Sequence, residues 1–152
     1  MSTTRLASIG AGFMGEALIR GALDAGVFAP GEVCVSDPVP QRLEVFAALG
    51  VRTTGDNAAA VRGAETVLLA VKPQVLPRVL EALAPHLSPG QLLLSIAAGV
   101  SLATLEGKLP AGTPVVRAMP NLLAQVGAAA TAIAPGTAAT EAHLERAEAI
   151  FG

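Results

Sequence analysis

The sequence IGAGFMGEALIRGAL, residues 9–23, decides the fold class because glycines separate a short apolar segment from a helical pattern. Gly10, Gly12 and Gly15 form a G-x-G-x-x-G motif directly after the predicted strand Leu6 to Ile9. In this motif the first glycine permits a tight turn, the second lets a pyrophosphate approach the backbone, and the third lets the helix pack on the strand. The free N–H groups and the dipole of the first helical turn favour an anion at the same place. The stretch therefore predicts a dinucleotide-binding βαβ unit.

Short apolar segments alternate with helical patterns along the rest of the chain. The predicted strands cover residues 6–9, 33–35, 51–53, 66–71, 91–96, 114–118 and 128–133, and the predicted helices cover residues 14–25, 40–49, 74–87, 101–109 and 140–151. This alternation is typical of an α/β fold with right-handed crossovers. We expect a Rossmann-type doubly wound, mostly parallel sheet with helices on both faces, forming one NAD(P)-binding domain over residues 1–152.

The composition excludes several classes of protein. Hydrophobic residues make up 52% and charged residues 14% of the chain, so the sequence is not that of a disordered protein. The net charge is −2 and no basic cluster occurs, which argues against nucleic-acid binding. The uncharged, mostly apolar stretch Leu92 to Leu105 is too short to span a membrane. Cys34 is the only cysteine, and the first ten residues lack the pattern of a signal peptide, so we expect a cytoplasmic protein.

The end of the second predicted strand, Val35-Ser36-Asp37-Pro38, should meet the ribose of the adenosine half of the cofactor. An acidic residue there commonly bonds the ribose 2′-OH and repels a 2′-phosphate, so Asp37 favours NAD. Ser36 could instead donate to a phosphate, and Arg42 is close enough in sequence to reach one. The residues alone leave the choice between NAD and NADP open.

Two further strand ends should contribute to the same edge of the sheet, since ligands bind at the carboxyl ends of strands in open α/β sheets. Lys72 follows the fourth predicted strand and can contact cofactor, substrate or only solvent, and Pro73 can start the next helix. Small residues in Ser95 to Gly99 either leave room for a ring or allow tight packing. No Ser/His/Asp arrangement and no metal-ligand spacing occurs in the sequence.

Several separated segments resemble the N-terminal domain of pyrroline-5-carboxylate reductase in order and spacing. They are IGAGFM (9–14) with EALIRG (16–21), AVKPQ (70–74), SIAAGVS (95–101), VRAMPN (116–121), and VG (126–127) with AT (130–131). The resemblance implies hydride transfer from the nicotinamide C4 of NADPH or NADH to the C=N carbon of 1-pyrroline-5-carboxylate, which gives L-proline. Because a protonated imine is already electrophilic, the protein mainly binds, orients and shields the reactants.

The resemblance also implies which residues form the site. Met119, Pro120 and Asn121 should lie toward the nicotinamide and the substrate. The residues expected to line the cofactor are Ile9, Gly10, Ala11, Gly12, Phe13, Met14, Ser36, Pro38, Asn57, Ala70, Val71, Lys72, Pro73, Ile96, Ala97 and Ala98.

Three features depart from the family pattern. Leu122 and Leu123 replace the family's Thr-Pro beside the reaction site, and Phe13 stands where the family often has a polar residue. The family's C-terminal helical domain, which makes the dimer and much of the substrate pocket, would begin about where this sequence stops. We therefore expect a fragment, a truncated form or an incomplete homologue, inactive alone, whose parent is a homo-oligomer. An exposed apolar stripe on the last predicted helix, with Leu144, Ala147 and Ile150, is expected on the same ground.

Two other functions stay open at this point. One is a related imine or β-hydroxyacid reductase of the same fold, which Leu122 and Leu123 would favour. The other is a nucleotide-binding module without catalytic activity.

Overall fold

A computed structural model describes residues 4–121 and 129–151. The strands are β1 (Leu6–Ile9), β2 (Val33–Ser36), β3 (Arg52–Thr54), β4 (Thr66–Leu69), β5 (Leu92–Ser95), β6 (Val115–Asn121) and β7 (Ala129–Pro135). The helices are α1 (Phe13–Asp24), α2 (Pro40–Ala47), α3 (Asn57–Val61), α4 (Leu76–Leu83), α5 (Leu102–Gly107) and α6 (Glu141–Phe151), with short 3₁₀ segments at Pro30–Glu32 and Ala84–His86.

The strands form one sheet in the order β3-β2-β1-β4-β5-β6-β7. The pairings from β3 to β6 are parallel, and β7 pairs antiparallel with β6. The chain builds β2 and β3 on one side of β1, then returns to place β4 on its other side. This confirms the predicted Rossmann-type architecture, and the change of direction between β1 and β4 is where this fold class opens a crevice for ligands.

The strand register places Ser36, Ile9, Leu69, Ser95 and Arg117 on one level across the sheet. The first four are the last residues of their strands, whereas β6 continues beyond Arg117. The segments that follow β1, β2, β4 and β5 therefore leave the sheet at a common carboxyl edge. We refer to this level of the sheet and the segments just beyond it as the carboxyl edge.

Apolar residues cover both faces of the sheet. On one face, α1, α2 and α6 contribute Leu18, Ile19, Phe46 and Ile150 to a buried cluster. On the other face, α3, α4 and α5 bury a second set of aliphatic side chains, which includes Val61, Leu76, Leu80, Leu83 and Leu105. Every residue of β1, β2, β4 and β5 is buried, as expected for parallel strands covered on both sides.

The structure differs from the predicted helices in two places. The helix α3 was not predicted, because it has five residues and no apolar periodicity; Asp56 caps it by accepting a hydrogen bond from the Ala58 N–H at 3.0 Å. The helix predicted from residue 74 begins at Leu76. Residues 72–75 form a turn in which the Val75 N–H donates to the Lys72 carbonyl. Pro77, not Pro73, occupies the first turn of α4.

The expectation of an exposed apolar stripe on the last helix is wrong. Ala147 and Ile150 are buried, and Leu144 packs against the same cluster. The helix lies against α1 and against β6 and β7. The described part of the chain thus provides its own partner for this face of α6. No helix within residues 4–121 and 129–151 is long and apolar enough to cross a membrane.

Candidate dinucleotide site

The turn after β1 depends on a glycine at its first position. Gly10 has φ +103°, a conformation that L side chains rarely adopt, and its N–H donates to the Ser36 carbonyl at 2.8 Å. A Cβ on Gly10 would stand 2.6 Å from the carbonyl oxygen of Ala70 and 3.1 Å from Cγ1 of Val71. The predicted tight turn is therefore present, and it packs directly on the segment that leaves β4.

The second and third glycines of the motif have different surroundings. Gly12 is the N-cap of α1 with φ −73°, and a Cβ there would meet one atom, the Ala70 carbonyl oxygen at 3.8 Å. A Cβ on Gly15 would stand 3.1 Å from the Ala70 Cβ and 3.7 Å from Oγ of Ser8. Gly15 therefore allows close packing of α1 on the sheet, as predicted, whereas Gly12 leaves open space before the N–H groups of the first helical turn.

Ser36, at the end of β2, is fully buried. Its hydroxyl donates to Oδ1 of Asn57 at 2.6 Å, and its carbonyl accepts from Gly10. Ser36 therefore ties the glycine loop to the start of α3. Its hydroxyl is not exposed to donate to a phosphate, so the structure does not support that alternative.

Asp37 and Arg42 hold the two backbone polar groups of Ala11, and we call this arrangement the Ala11 clasp. Oδ2 of Asp37 accepts from the Ala11 N–H at 2.9 Å, and Oδ1 accepts from the Val39 N–H at 2.8 Å. Nε of Arg42 donates to the Ala11 carbonyl at 2.6 Å. The clasp joins the glycine loop to the segment between β2 and α2.

Arg42 makes further contacts with the first turn of α1. Its Nη2 donates to Oε1 of Glu16 at 2.8 Å, and its guanidinium lies over the Phe13 ring at 4.6 Å. Arg20 also donates to Glu16 at 2.8 Å. The hydrogen bond from Arg42, followed by the Arg20 interactions, holds the pKa of Glu16 below its usual value despite partial burial. The Phe13 ring is 81% exposed, so its outer face is open to a ligand.

The segments after β4 and β5 lie beside the glycine loop on the carboxyl edge. The Ala70 N–H donates to the Ile9 carbonyl, and the Ile96 N–H donates to the Leu69 carbonyl. Ala97 is buried, and its N–H donates to Oγ of Ser95 at 3.3 Å. The other predicted residues here are at least partly accessible, with Val71 and Ile96 half-buried and Lys72, Pro73 and Ala98 exposed. The Lys72 ammonium has no hydrogen bond or ion pair with any residue that the structure describes.

The substrate-facing prediction concerns the end of β6. Met119 is 47% exposed, and the β6–β7 register shifts between Met119 and Pro120. Pro120 and Asn121 are the last residues of β6. Leu122 and Leu123 lie outside the described residues. The predicted residues at the ends of β1, β2, β4 and β5 are brought together at the carboxyl edge, and the end of β6 continues beyond Arg117 on the same edge. Met14 is half-buried and Pro38 is exposed on the flank of the glycine loop.

Two features of this region were missed by the sequence analysis. Glu16 is the carboxylate that pairs with Arg42, and its i, i+4 spacing to Arg20 was the available signal. Arg117 has a buried Nε without a hydrogen-bond partner in the described structure. No group of three or more His, Cys, Asp or Glu side chains in the described ranges is placed to hold a metal ion.

Comparison with known proteins gives matches over the whole chain. Residues 5–99 match the family described as NADP oxidoreductase, coenzyme F420-dependent. A pyrroline-5-carboxylate reductase of Methanosarcina acetivorans is 45% identical over 152 residues, which is 99% of this chain and 56% of the relative.

Solved structures agree with these matches. A pyrroline-5-carboxylate reductase from Coxiella burnetii superposes with a TM-score of 0.90 at 31% identity, covering 99% of this chain and 56% of the other. A Plasmodium falciparum pyrroline carboxylate reductase with NADP bound has a TM-score of 0.83 at 23% identity, over 99% and 55% of the two chains, and shows the shared fold. The chain spans about half the length of the relatives it matches.

Proposed function

The chain belongs to the family described as NADP oxidoreductase, coenzyme F420-dependent, and on that premise we propose that it is the NAD(P)-binding domain of a pyrroline-5-carboxylate reductase. The family match ends at residue 99, before β6. Similarity to the Methanosarcina acetivorans reductase covers 99% of the chain and so includes the β6 end where Met119, Pro120 and Asn121 lie. That extent of similarity carries the proposal, because it reaches the part of the fold expected to face the substrate.

The residues at the carboxyl edge fit a dinucleotide. The open space at Gly12 admits a pyrophosphate to the N–H groups at the start of α1, where the helix dipole favours an anion. Gly10 and Gly15 keep the loop and α1 against Ala70, which fixes the position of those N–H groups. When bound, a reduced nicotinamide supplies the hydride for the C=N carbon of 1-pyrroline-5-carboxylate.

The chain's own contribution to this reaction is binding and orientation. The small residues Ala97 and Ala98 leave room beside the β5 end for a flat ring. Lys72 adds a positive charge at the same edge, which suits a substrate that carries a carboxylate. Because a protonated imine needs no further activation, holding the two reactants in contact accounts for a large part of the rate.

The rest of the proposal concerns the parent protein. We expect a C-terminal helical domain to complete the substrate pocket and to form a homo-oligomer, with this chain alone having little activity. A cytoplasmic location belongs to the same proposal and is supported by the buried, free thiol of Cys34, whose pKa is raised by burial.

The test has two parts. Calorimetric titration of the folded chain with NADH and with NADPH should show binding of at least one nucleotide. The full-length protein should then form proline from 1-pyrroline-5-carboxylate, whereas the chain alone should form little. Binding without turnover by the full-length protein would contradict the reductase assignment, and turnover of a different imine or a β-hydroxyacid would redirect it. Absence of nucleotide binding by a folded chain would overturn the assignment of the glycine loop.

A further inference from the structure

The Ala11 clasp lies where the adenosine ribose of a dinucleotide meets the sheet in this fold, between the glycine loop and the end of β2. An acidic residue at this corner accepts a hydrogen bond from the ribose 2′-OH of NAD, and an arginine accommodates the 2′-phosphate of NADP. The corner offers both, as Asp37 and Arg42. The contacts that each already makes indicate which nucleotide it suits.

Arg42 is committed to other partners. It donates to the Ala11 carbonyl and to Glu16, and its guanidinium face stacks on Phe13. Its positive charge is balanced by the Glu16 carboxylate at 2.8 Å, and 25% of its side chain is exposed. These contacts use two of the five guanidinium N–H groups and hold the glycine loop in place, and the Glu16 carboxylate already balances the charge that would attract a 2′-phosphate.

Asp37 retains the capacity to accept further hydrogen bonds. Each carboxylate oxygen accepts one backbone N–H, from Ala11 or from Val39, which leaves lone pairs for a hydroxyl donor. Asp37 cannot donate to a phosphate, and its charge repels one. Asp56, after the neighbouring strand β3, adds a second negative charge on this side of the sheet.

The Ser36 hydroxyl, another candidate donor at this corner, is also engaged. It is fully buried and donates to Asn57. We propose that this site selects NADH over NADPH, with Asp37 as the specificity-determining residue and Arg42 as a positioning residue for the glycine loop. The inference rests on the proposed function and specifies the cofactor of that same site.

The test compares nucleotides with and without the 2′-phosphate on this chain. Calorimetric titration at equal ionic strength should give an NADH affinity about tenfold or more above the NADPH affinity, since a lost hydrogen bond and an unfavourable charge both act against NADPH. ADP-ribose and its 2′-phosphorylated form should show the same ratio, which restricts the effect to the adenosine half. The ratio should shrink at high salt, because the charge repulsion is screened. Equal or tighter binding of NADPH would overturn this inference and leave the proposed function intact, whereas binding of neither nucleotide would overturn both.

Substitutions at three positions separate selection of the cofactor from positioning of the glycine loop. Asp37→Asn keeps an acceptor for the loop but removes the charge, so the NADPH affinity should rise and the ratio of NADH to NADPH affinity should fall about tenfold. Asp37→Ser is the second variant if the first folds poorly. Arg42→Gln should weaken NADH and NADPH binding by the same factor. A selective loss of NADPH binding in Arg42→Gln would show that Arg42 contacts the phosphate and would overturn the inference. Asp24→Asn, at the exposed end of α1, is the matched charge control and should leave the ratio unchanged.

Discussion

The carbonyl oxygen of Ala70 occupies the space that a side chain on Gly10 would need, 2.6 Å from the position of its Cβ. This contact joins the turn after β1 to the segment after β4. Between β1 and β4, the order in which the chain adds strands to the sheet reverses. The close approach of these two backbone segments thus fixes the position of the glycine loop in the candidate site. It also explains why the first position of the motif has to be glycine here on structural grounds, apart from any ligand.

Replacing Gly10 by alanine should therefore damage the fold itself. Alanine would have to adopt φ +103° and move the Ala70 carbonyl, and we expect a loss of roughly 3 kcal/mol or more in the free energy of unfolding. Urea denaturation of Gly10→Ala and of the wild-type chain would measure this. Gly55→Ala is the matched control, since a Cβ at Gly55 meets no atom within 4 Å and its backbone is not left-handed. Equal stability of Gly10→Ala and Gly55→Ala would contradict the contact.

Gly12→Ala should separate ligand binding from folding. Alanine can adopt the extended backbone conformation of Gly12, and its Cβ would make an ordinary van der Waals contact with the Ala70 carbonyl oxygen. The loss in unfolding free energy should therefore stay below about 1 kcal/mol. The methyl group would stand in the space we assign to the pyrophosphate, so the affinity for both nucleotides should fall by about tenfold or more. Titration calorimetry and urea denaturation of the same sample check the two parts. Unchanged affinity would place the pyrophosphate elsewhere.

Much of the fold followed from local patterns in the sequence. The apolar runs predicted the four fully buried strands β1, β2, β4 and β5, because strands buried on both faces need continuous apolar side chains. The predicted strands at residues 51–53, 114–118 and 128–133 overlap β3, β6 and β7. The motif of Gly10, Gly12 and Gly15 predicted the turn, the start of α1 and the close packing of Gly15. The five-residue helix α3 escaped because its start depends on one cap, Asp56, and not on periodicity.

Contacts between distant segments could not be predicted in the same way. Arg42 was recognised as near the cofactor corner, but its commitment to Glu16 and Ala11 depends on how α1 and α2 lie across the sheet. The packing of Ile150 against the core depends likewise on α6 lying beside α1. Burial of the Ser36 hydroxyl, which bears on the choice between NAD and NADP, is a property of the assembled sheet edge.

The Glu16–Arg42 interaction should make stability depend on pH. The pKa of Glu16 is lowered in the folded chain, so the unfolded chain binds the proton more readily. The stabilisation is therefore complete above the ordinary pKa of 4.5 and is lost as the pH falls through the lowered folded value. Glu16→Gln should cost about 1 kcal/mol of unfolding free energy near neutral pH. The difference from wild type should shrink toward about pH 3 in urea denaturation.

A matched substitution tests whether this pH dependence belongs to the ion pair. Glu44 lies exposed on α2 and has no ion pair with any residue described in the structure. Glu44→Gln should leave the unfolding free energy nearly unchanged at both pH values. A constant difference between Glu16→Gln and wild type across the pH range would show that Arg42 does not stabilise the ionised form.

Thr66, the first residue of β4, is 1% exposed, and its Oγ1 has no hydrogen-bond partner within the described structure. A buried hydroxyl without a partner costs stability, and valine has the same shape without the polar group. Thr66→Val should therefore raise the unfolding free energy by about 1 kcal/mol, measured by urea denaturation at neutral pH.

Ser8 provides the opposite case in the neighbouring strand, because its buried Oγ donates to the Gly10 carbonyl at 2.9 Å. Ser8→Ala should lower stability by about 1 kcal/mol, and a gain from both substitutions would mean that the Ser8 hydrogen bond does not stabilise the glycine turn.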